Sequence, residues 1–249
     1  MKLKTHFMTM AIALVMSTQA SAGGSINGTI KFDGEVPVLK TIAMDADPKC
    51  KEKHATEVKS ETLVLGAGNT VANMFVRVKT GLPAGKTYDT PAEPVTVNQF
   101  GCMYVPHVIA AMQNQKVKVL NSDGTLHNVH GMPKTNKEFN VAMPAFKKEI
   151  EQSFDQVEEQ PFGIKCDVHP WMAGFVAVMS NPYFSVTKED GKFEIKDLPA
   201  GEYEIEVWHE KLPAQTAKVT VTEGAAATQD FTFTKPAQTA LLNAIMITH

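Results

Sequence analysis

A period of two most constrains this chain. Short runs of alternating apolar and polar residues recur along it, and each gives way to glycine, proline, asparagine or aspartate. Ser25 to Phe32 places Ile26, Ile30 and Phe32 at even spacing before the turn Asp33-Gly34, and residues 71–79 alternate in the same way before the breaker-rich stretch 81–94. Residues 116–120, 148–154 and 174–179 repeat the pattern. Successive strand side chains point to opposite faces, so such runs predict strands with one buried face. No long helical period appears beyond the first residues. The expected fold class is therefore all-β, built of sandwiches. At 249 residues the chain is long enough for two compact units, and its 43% hydrophobic content suffices for a sizeable core.

The first residues read differently. Lys2 and Lys4 precede an apolar stretch over residues 10–16, and polar residues then lead to Ala20-Ser21-Ala22. This is the layout of a signal peptide cleaved after Ala22, its apolar core about half the roughly 20 residues that cross a bilayer. A periplasmic protein with no membrane span after processing is expected. Removal of residues 1–22 leaves 22 cations against 27 acids, a net charge of −5. Arg77 is the only arginine. A mildly acidic chain that lacks the residue best suited to phosphates and base edges is a poor nucleic-acid binder.

In an oxidising compartment two of the three cysteines can pair. Nothing ligand-like surrounds Cys50 at metal spacing, whereas Cys166 stands among other soft donors. A Cys50–Cys102 disulfide is expected, worth about 4 kcal/mol by loop-closure entropy; the alternative is a pair of buried free thiols.

Residues 181–235 form a further set of strands and turns. Thr187, Asp190, Gly191, Phe193, Ile195, Leu198, Pro199, Gly201 and Tyr203 fill every position of the pattern T-x-x-D-G-x-F-x-I-x-x-L-P-x-G-x-Y. In this the chain resembles the carboxypeptidase regulatory-like, or transthyretin-like, β-sandwiches. The opening strand of that family, G-x-I-x-G-x-V and a turn, resembles Gly24 to Asp33. Residues 23–91 are thus either the opening of this sandwich, with residues 92–180 set into it, or part of a consecutive arrangement. Residues 236–249 read as an apolar tail too short to span a membrane.

Residues 92–180 carry the chemistry. One cluster runs from Asn121 to His130 and includes His127; the other is Cys166-Asp167-Val168-His169-Pro170-Trp171-Met172. A thiolate, two imidazoles and a thioether form a soft, mixed donor set that suits copper. A short loop can fold Cys166, His169 and Met172 round one ion, with His127 arriving from a neighbouring strand. Zinc sites rarely use methionine and usually take more than one cysteine, so the thioether favours copper.

Cys-x-x-His-Pro-aromatic-Met, followed by glycine and an alternating strand, with His-Asn-Val-His upstream, resembles the cupredoxins, and among them the amicyanins associated with methylamine oxidation. The resemblance implies a Greek-key sandwich holding one copper ion that cycles between Cu(I) and Cu(II). It gives His127, Cys166 and His169 as equatorial ligands and Met172 as the axial one. It makes Asn128 the residue whose amide meets the cysteine sulfur. It also implies an exit at His169, a docking patch at Pro170 and Trp171, an electron donor such as a periplasmic dehydrogenase, and a c-type cytochrome acceptor. Leu126 and Trp171 depart from the amicyanin pattern without removing a ligand.

The expected activity is single-electron transport. A copper-binding, delivery or surface-interaction module without redox cycling is the alternative. No phosphate loop, zinc helix or nucleophile elbow points to an enzyme. His107 is a candidate for a second metal or for support of the first; His130, three residues from His127, should face the other side of its strand. His54, Glu158 and Glu159 read as solvated, and Met103, Met112, Met132 and Met143 as core filling.

Overall fold

The computed structural model describes residues 23–234. The leader expected over residues 1–22 and the tail over 236–249 lie outside them. The described chain is all-β, with a single four-residue helix and two 3-10 turns among its described residues. No helix there is long and apolar enough to cross a membrane.

The strands are β1 (Gly24–Asp33), β2 (Phe75–Thr80), β3 (Val95–Phe100), β4 (Met103–Val105), β5 (Val108–Met112), β6 (Val117–Asn121), β7 (His127–Gly131), β8 (Phe139–Met143) and β9 (Glu149–Gln152). There follow β10 (Phe162–Lys165), β11 (Ala173–Met179), β12 (Phe184–Val186), β13 (Lys192–Leu198), β14 (Gly201–Trp208), β15 (Gln215–Val221), β16 (Ala226–Thr228) and β17 (Phe231–Thr234). Helix α1 (Pro48–Lys51) sits between β1 and β2.

β1 lies antiparallel to β13 and, along its other edge, parallel to β16 and then β17. β2 lies between β12 and β14, and β14 carries β15. These two sheets enclose one core, with Ile26, Ile30, Val76, Ile195, Ile205 and Phe233 among its buried residues. Thr187, the first residue of the turn motif, accepts the amide of Met74 at 3.0 Å and donates to Val71 O at 2.7 Å. It therefore stitches β2 to the β12 end. Tyr203, the last residue of the motif, donates to Pro199 O at 2.7 Å across its own corner. Gly28 has no alternative, because a Cβ there would lie 1.8 Å from Gln229 O.

The strands between them form two further sheets, β5-β11-β10-β7-β8 and β4-β3-β6-β9. Their inner faces share a second core that includes Val97, Tyr104, Ile109, Val119, Val129, Ile164 and Val178. A third cluster, with Phe75, Val108, Ala177 and Met179 at its centre, joins the two pairs of sheets.

Three expectations change. Glu158 is not solvated: its carboxylate is buried and accepts the amides of Lys134, Thr135 and Asn136 at 2.8–3.1 Å, an anion capping a turn. His54 packs over Gly101, with its Nε2 2.7 Å from Gly101 O. Met132 is exposed, whereas Met103, Met112 and Met143 do fill core.

Candidate metal centre

The predicted ligands meet at one end of the second core. Cys166 follows directly on β10 and Ala173 opens β11, so the loop 166–172 is the whole connection between two antiparallel neighbours. It closes on itself: Met172 N donates to His169 O at 2.9 Å and Cys166 N to Met172 O at 3.1 Å. His127 begins β7, which pairs with β10. Donor atoms of His127, Cys166 and His169 all lie within 4.8 Å of one another. The two imidazole Nδ1 atoms are 3.0 Å apart, and His169 Nδ1 is 3.7 Å from Cys166 Sγ. Met172 is fully buried in the same loop.

Asn128 and Tyr104 brace the two ligand segments. Asn128 Oδ1 accepts from Cys166 Sγ at 3.3 Å and from the Asp167 amide at 2.7 Å. Tyr104 OH donates to Asn128 O at 2.6 Å and to Lys165 O at 3.1 Å, joining the neighbours of both ligands. Burial holds the Tyr104 phenol protonated. At Cys166 burial opposes ionisation. Hydrogen bonding from His127, from the Asn128 and His169 amides and from the His169 ring outweighs it, bringing the thiol down to about 7.

The centre also has a cover. Cys50 and Cys102 are disulfide-bonded, Cα to Cα 5.5 Å, which ties the strap of residues 41–59 to the turn joining β3 and β4. That turn is Gly101-Cys102, both residues at positive φ (63° and 53°). This is the backbone a two-residue hairpin needs, unusual for a cysteine. Its two amides point at the Asp123 carboxylate, at 2.7 and 2.8 Å. Asp123 Oδ2 is also 3.0 Å from His127 Nε2. On the strap, Asp47 caps α1 and sets its Oδ2 2.9 Å from His169 Nε2. The His127 partnership holds the Asp123 carboxyl below its usual range against the opposing effect of burial, aided by the two amides and Lys53. The hydrogen bond with His169 does the same for Asp47.

The strap changes one expectation. His169, expected at the surface as an exit, is 2% exposed, because Asp47 and the disulfide cover its outer nitrogen. Beside it Pro170 is exposed, whereas Trp171 is half-buried and donates its indole N–H to Cys102 O at 3.1 Å. Asp47 and Asp123 were not singled out from the sequence. Asp47-Pro48 does carry the signature of a helix start, but its partner lies 122 residues away.

Neither other candidate histidine joins a group of three converging donors among the described residues. His107 lies between β4 and β5, buried, 2.7 Å from Glu210 and 3.4 Å from Glu61, bridging the two pairs of sheets. His130 is held by Asp167 at 3.0 Å and Glu138 at 2.7 Å on the outer side of β7.

The donors fit a soft cation. Each ring can donate outward to its carboxylate, which leaves two Nδ1 lone pairs converging beside a readily ionised sulfur, with a thioether in the same loop and water excluded. The buried His127, Cys166, His169 and Met172 cluster resembles a type 1 copper site.

Residues 176–234 match the family described as the carboxypeptidase regulatory-like domain. No curated protein matches the chain. Similar solved structures include a Cu(I) amicyanin variant, at 17% identity and TM-score 0.31 over 41% of this chain and 97% of that one. A purple cupredoxin from Nitrosopumilus maritimus gives 21% and 0.28 over 34% of this chain and 98% of its own. A copper-containing nitrite reductase from Thermus scotoductus SA-01 gives 18% and 0.33 over 41% of this chain; the match spans only 26% of the reductase. What the site can do follows from its donors rather than from these likenesses.

Proposed function

We propose that the chain is a periplasmic type 1 copper protein that carries single electrons, with His127, Cys166 and His169 as equatorial ligands and Met172 as the axial one. Copper held there supplies a one-electron couple between Cu(I) and Cu(II). The convergence of His127, Cys166 and His169 at the buried end of the sandwich, with Met172 buried in the same loop, carries the reading.

The chain's own part is to hold that set still. A carrier transfers fastest when its ligands need not move between oxidation states. Here the self-closed loop, Asn128 and the Tyr104 brace fix every donor to the backbone of β7, β10 or β11. With all four residues holding the ion, no position would be left open for a substrate, which supports a carrier over an enzyme. Leu126 and Val168, each immediately before a ligand, are exposed and, with Pro170, offer an apolar surface for redox partners. A dehydrogenase donor and a c-type cytochrome acceptor suit such a surface.

The test is to load the mature protein with Cu(II) and record visible and EPR spectra. An intense thiolate-to-copper band, absent in Cys166→Ala, is expected; a colourless protein would sink the proposal. Reversible voltammetry without loss of the ion then separates a carrier from a delivery protein.

A further inference from the structure

The two carboxylates against the outer side of the ligand rings are not among the donors that would hold the ion. Asp123 Oδ2 lies 3.0 Å from His127 Nε2, and Asp47 Oδ2 lies 2.9 Å from His169 Nε2. A neutral imidazole has one N–H and one lone pair, and a carboxylate only accepts. Each contact is satisfied when the outer nitrogen carries the hydrogen, and the inner nitrogen is then bare. Which nitrogen of a ligand histidine binds a metal is set in this way by the bond its other nitrogen makes.

We propose that Asp47 and Asp123 are positioning residues for the metal centre, fixing the orientation and tautomer of both imidazoles so that the two Nδ1 atoms face one point beside Cys166 before any ion arrives. The inference rests on the copper reading and specifies how the chain prepares that site.

The connections of the two aspartates support it. Asp47 accepts the Lys49 amide through Oδ1 at 2.9 Å, and its carbonyl accepts the Cys50 amide at 3.0 Å. Asp123 accepts the Cys102 amide at 2.8 Å, and Lys53 of the strap sits 3.3 Å from its other oxygen. Each aspartate thus grips one ligand ring through its carboxylate and the backbone of one half of the disulfide, Asp47 through its carbonyl and Asp123 through its carboxylate. The Cys50–Cys102 bond spans the two and keeps them at a fixed separation. Cys50 Sγ lies 3.6 Å from His169 Nε2, so the cover over this ring is the disulfide itself together with Asp47. A surface segment 122 residues from His169 in sequence becomes a fixed wall of the site.

The test uses the full mature chain, labelled with nitrogen-15. Two-bond nitrogen–hydrogen correlation spectra of the metal-free protein report the tautomer of each histidine; Nε2–H is expected for both His127 and His169. In Asp47→Ser the hydroxyl keeps the helix cap but is too short to reach the ring. His169 should lose its fixed tautomer while His127 keeps its own, and copper affinity in a competition titration should fall about 10- to 100-fold. Asp47→Asn, which retains an acceptor oxygen, should restore much of both. An unchanged urea midpoint in the serine variant excludes a general loss of structure. An Nδ1–H tautomer at His169 in the unsubstituted protein, or a serine variant with His169 signals and affinity unchanged, overturns the proposal. Failure of the unsubstituted protein to bind copper overturns the copper reading instead, and the metal-free spectra still decide the role of Asp47.

Discussion

Replacing Cys50 and Cys102 together by alanine should measure how far the strap depends on its covalent tie. The two residues are 52 apart in sequence, and both are fully buried. Cross-linking across a loop of that length removes unfolded-chain entropy worth about 4 kcal/mol at 25 °C. For a chain of this size, urea sensitivity near the upper end of the usual range, about 3 kcal/mol per molar, turns that loss into a midpoint lower by about 1.3 M. Thermal unfolding should fall by roughly 8–16 °C. Noncovalent ties still hold the strap in the folded protein: His54 to Gly101 O, Lys53 to Asp123, and Asp47 to His169. They do nothing to restrict the unfolded chain, so they cannot replace the entropy term. Urea unfolding of both proteins, followed by tryptophan fluorescence with Trp171 beside the disulfide, checks the figure. A midpoint lowered by less than about 0.3 M would refute the loop-closure argument.

Tyr104→Phe keeps the ring and removes the hydroxyl that serves Asn128 O and Lys165 O, neither of which gains access to water through this buried position. Stability should fall by about 1–3 kcal/mol, measured by denaturant titration at unchanged slope. His107 gives a pH signature. Burial pushes its pKa down, but the Glu210 and Glu61 carboxylates outweigh it and lift the value to about 9. Because the folded value is raised, the stabilisation is full below about pH 6.5 and fades as pH rises through about 9. The lift corresponds to on the order of 3 kcal/mol. Urea midpoints of the unsubstituted protein and Glu210→Gln should therefore differ most near pH 6 and converge above pH 9; a constant gap would contradict the pairing.

The buried cluster was legible because three of its members, Cys166, His169 and Met172, fall in one seven-residue loop, where spacing alone brings them together. His127 was legible through its own short motif. The strands with clean alternation, such as β6, β13 and β17, were readable as well, because one face is buried and the other is less so. β5 was not read, since Val108-Ile109-Ala110-Ala111-Met112 packs on both sides and shows no period of two. The aspartates were invisible for another reason. An aspartate before Pro48 or in an Asn-Ser-Asp-Gly turn has a complete local explanation as a cap or turn residue, and the ring each one faces is set by the fold. Glu158 misled in the same way: polar neighbours in sequence suggested water, but what surrounds its carboxylate is three backbone amides.

The pairing of β1 with β17 sets the order in which the chain can be assembled. Ile30 lies beside Phe231 and Phe32 beside Phe233, contacts that close only when almost every described residue is available. The strands from β3 to β11 find all their hydrogen-bonded partners among themselves, between Val95 and Met179. During N-to-C synthesis the ligand-bearing sandwich is therefore complete some fifty residues before the first strand meets its last neighbour. Contacts of such long sequence separation form slowly. In the interval the edge of β1 that β17 will cover is unpaired, its backbone N–H and C=O groups open to pairing with another chain.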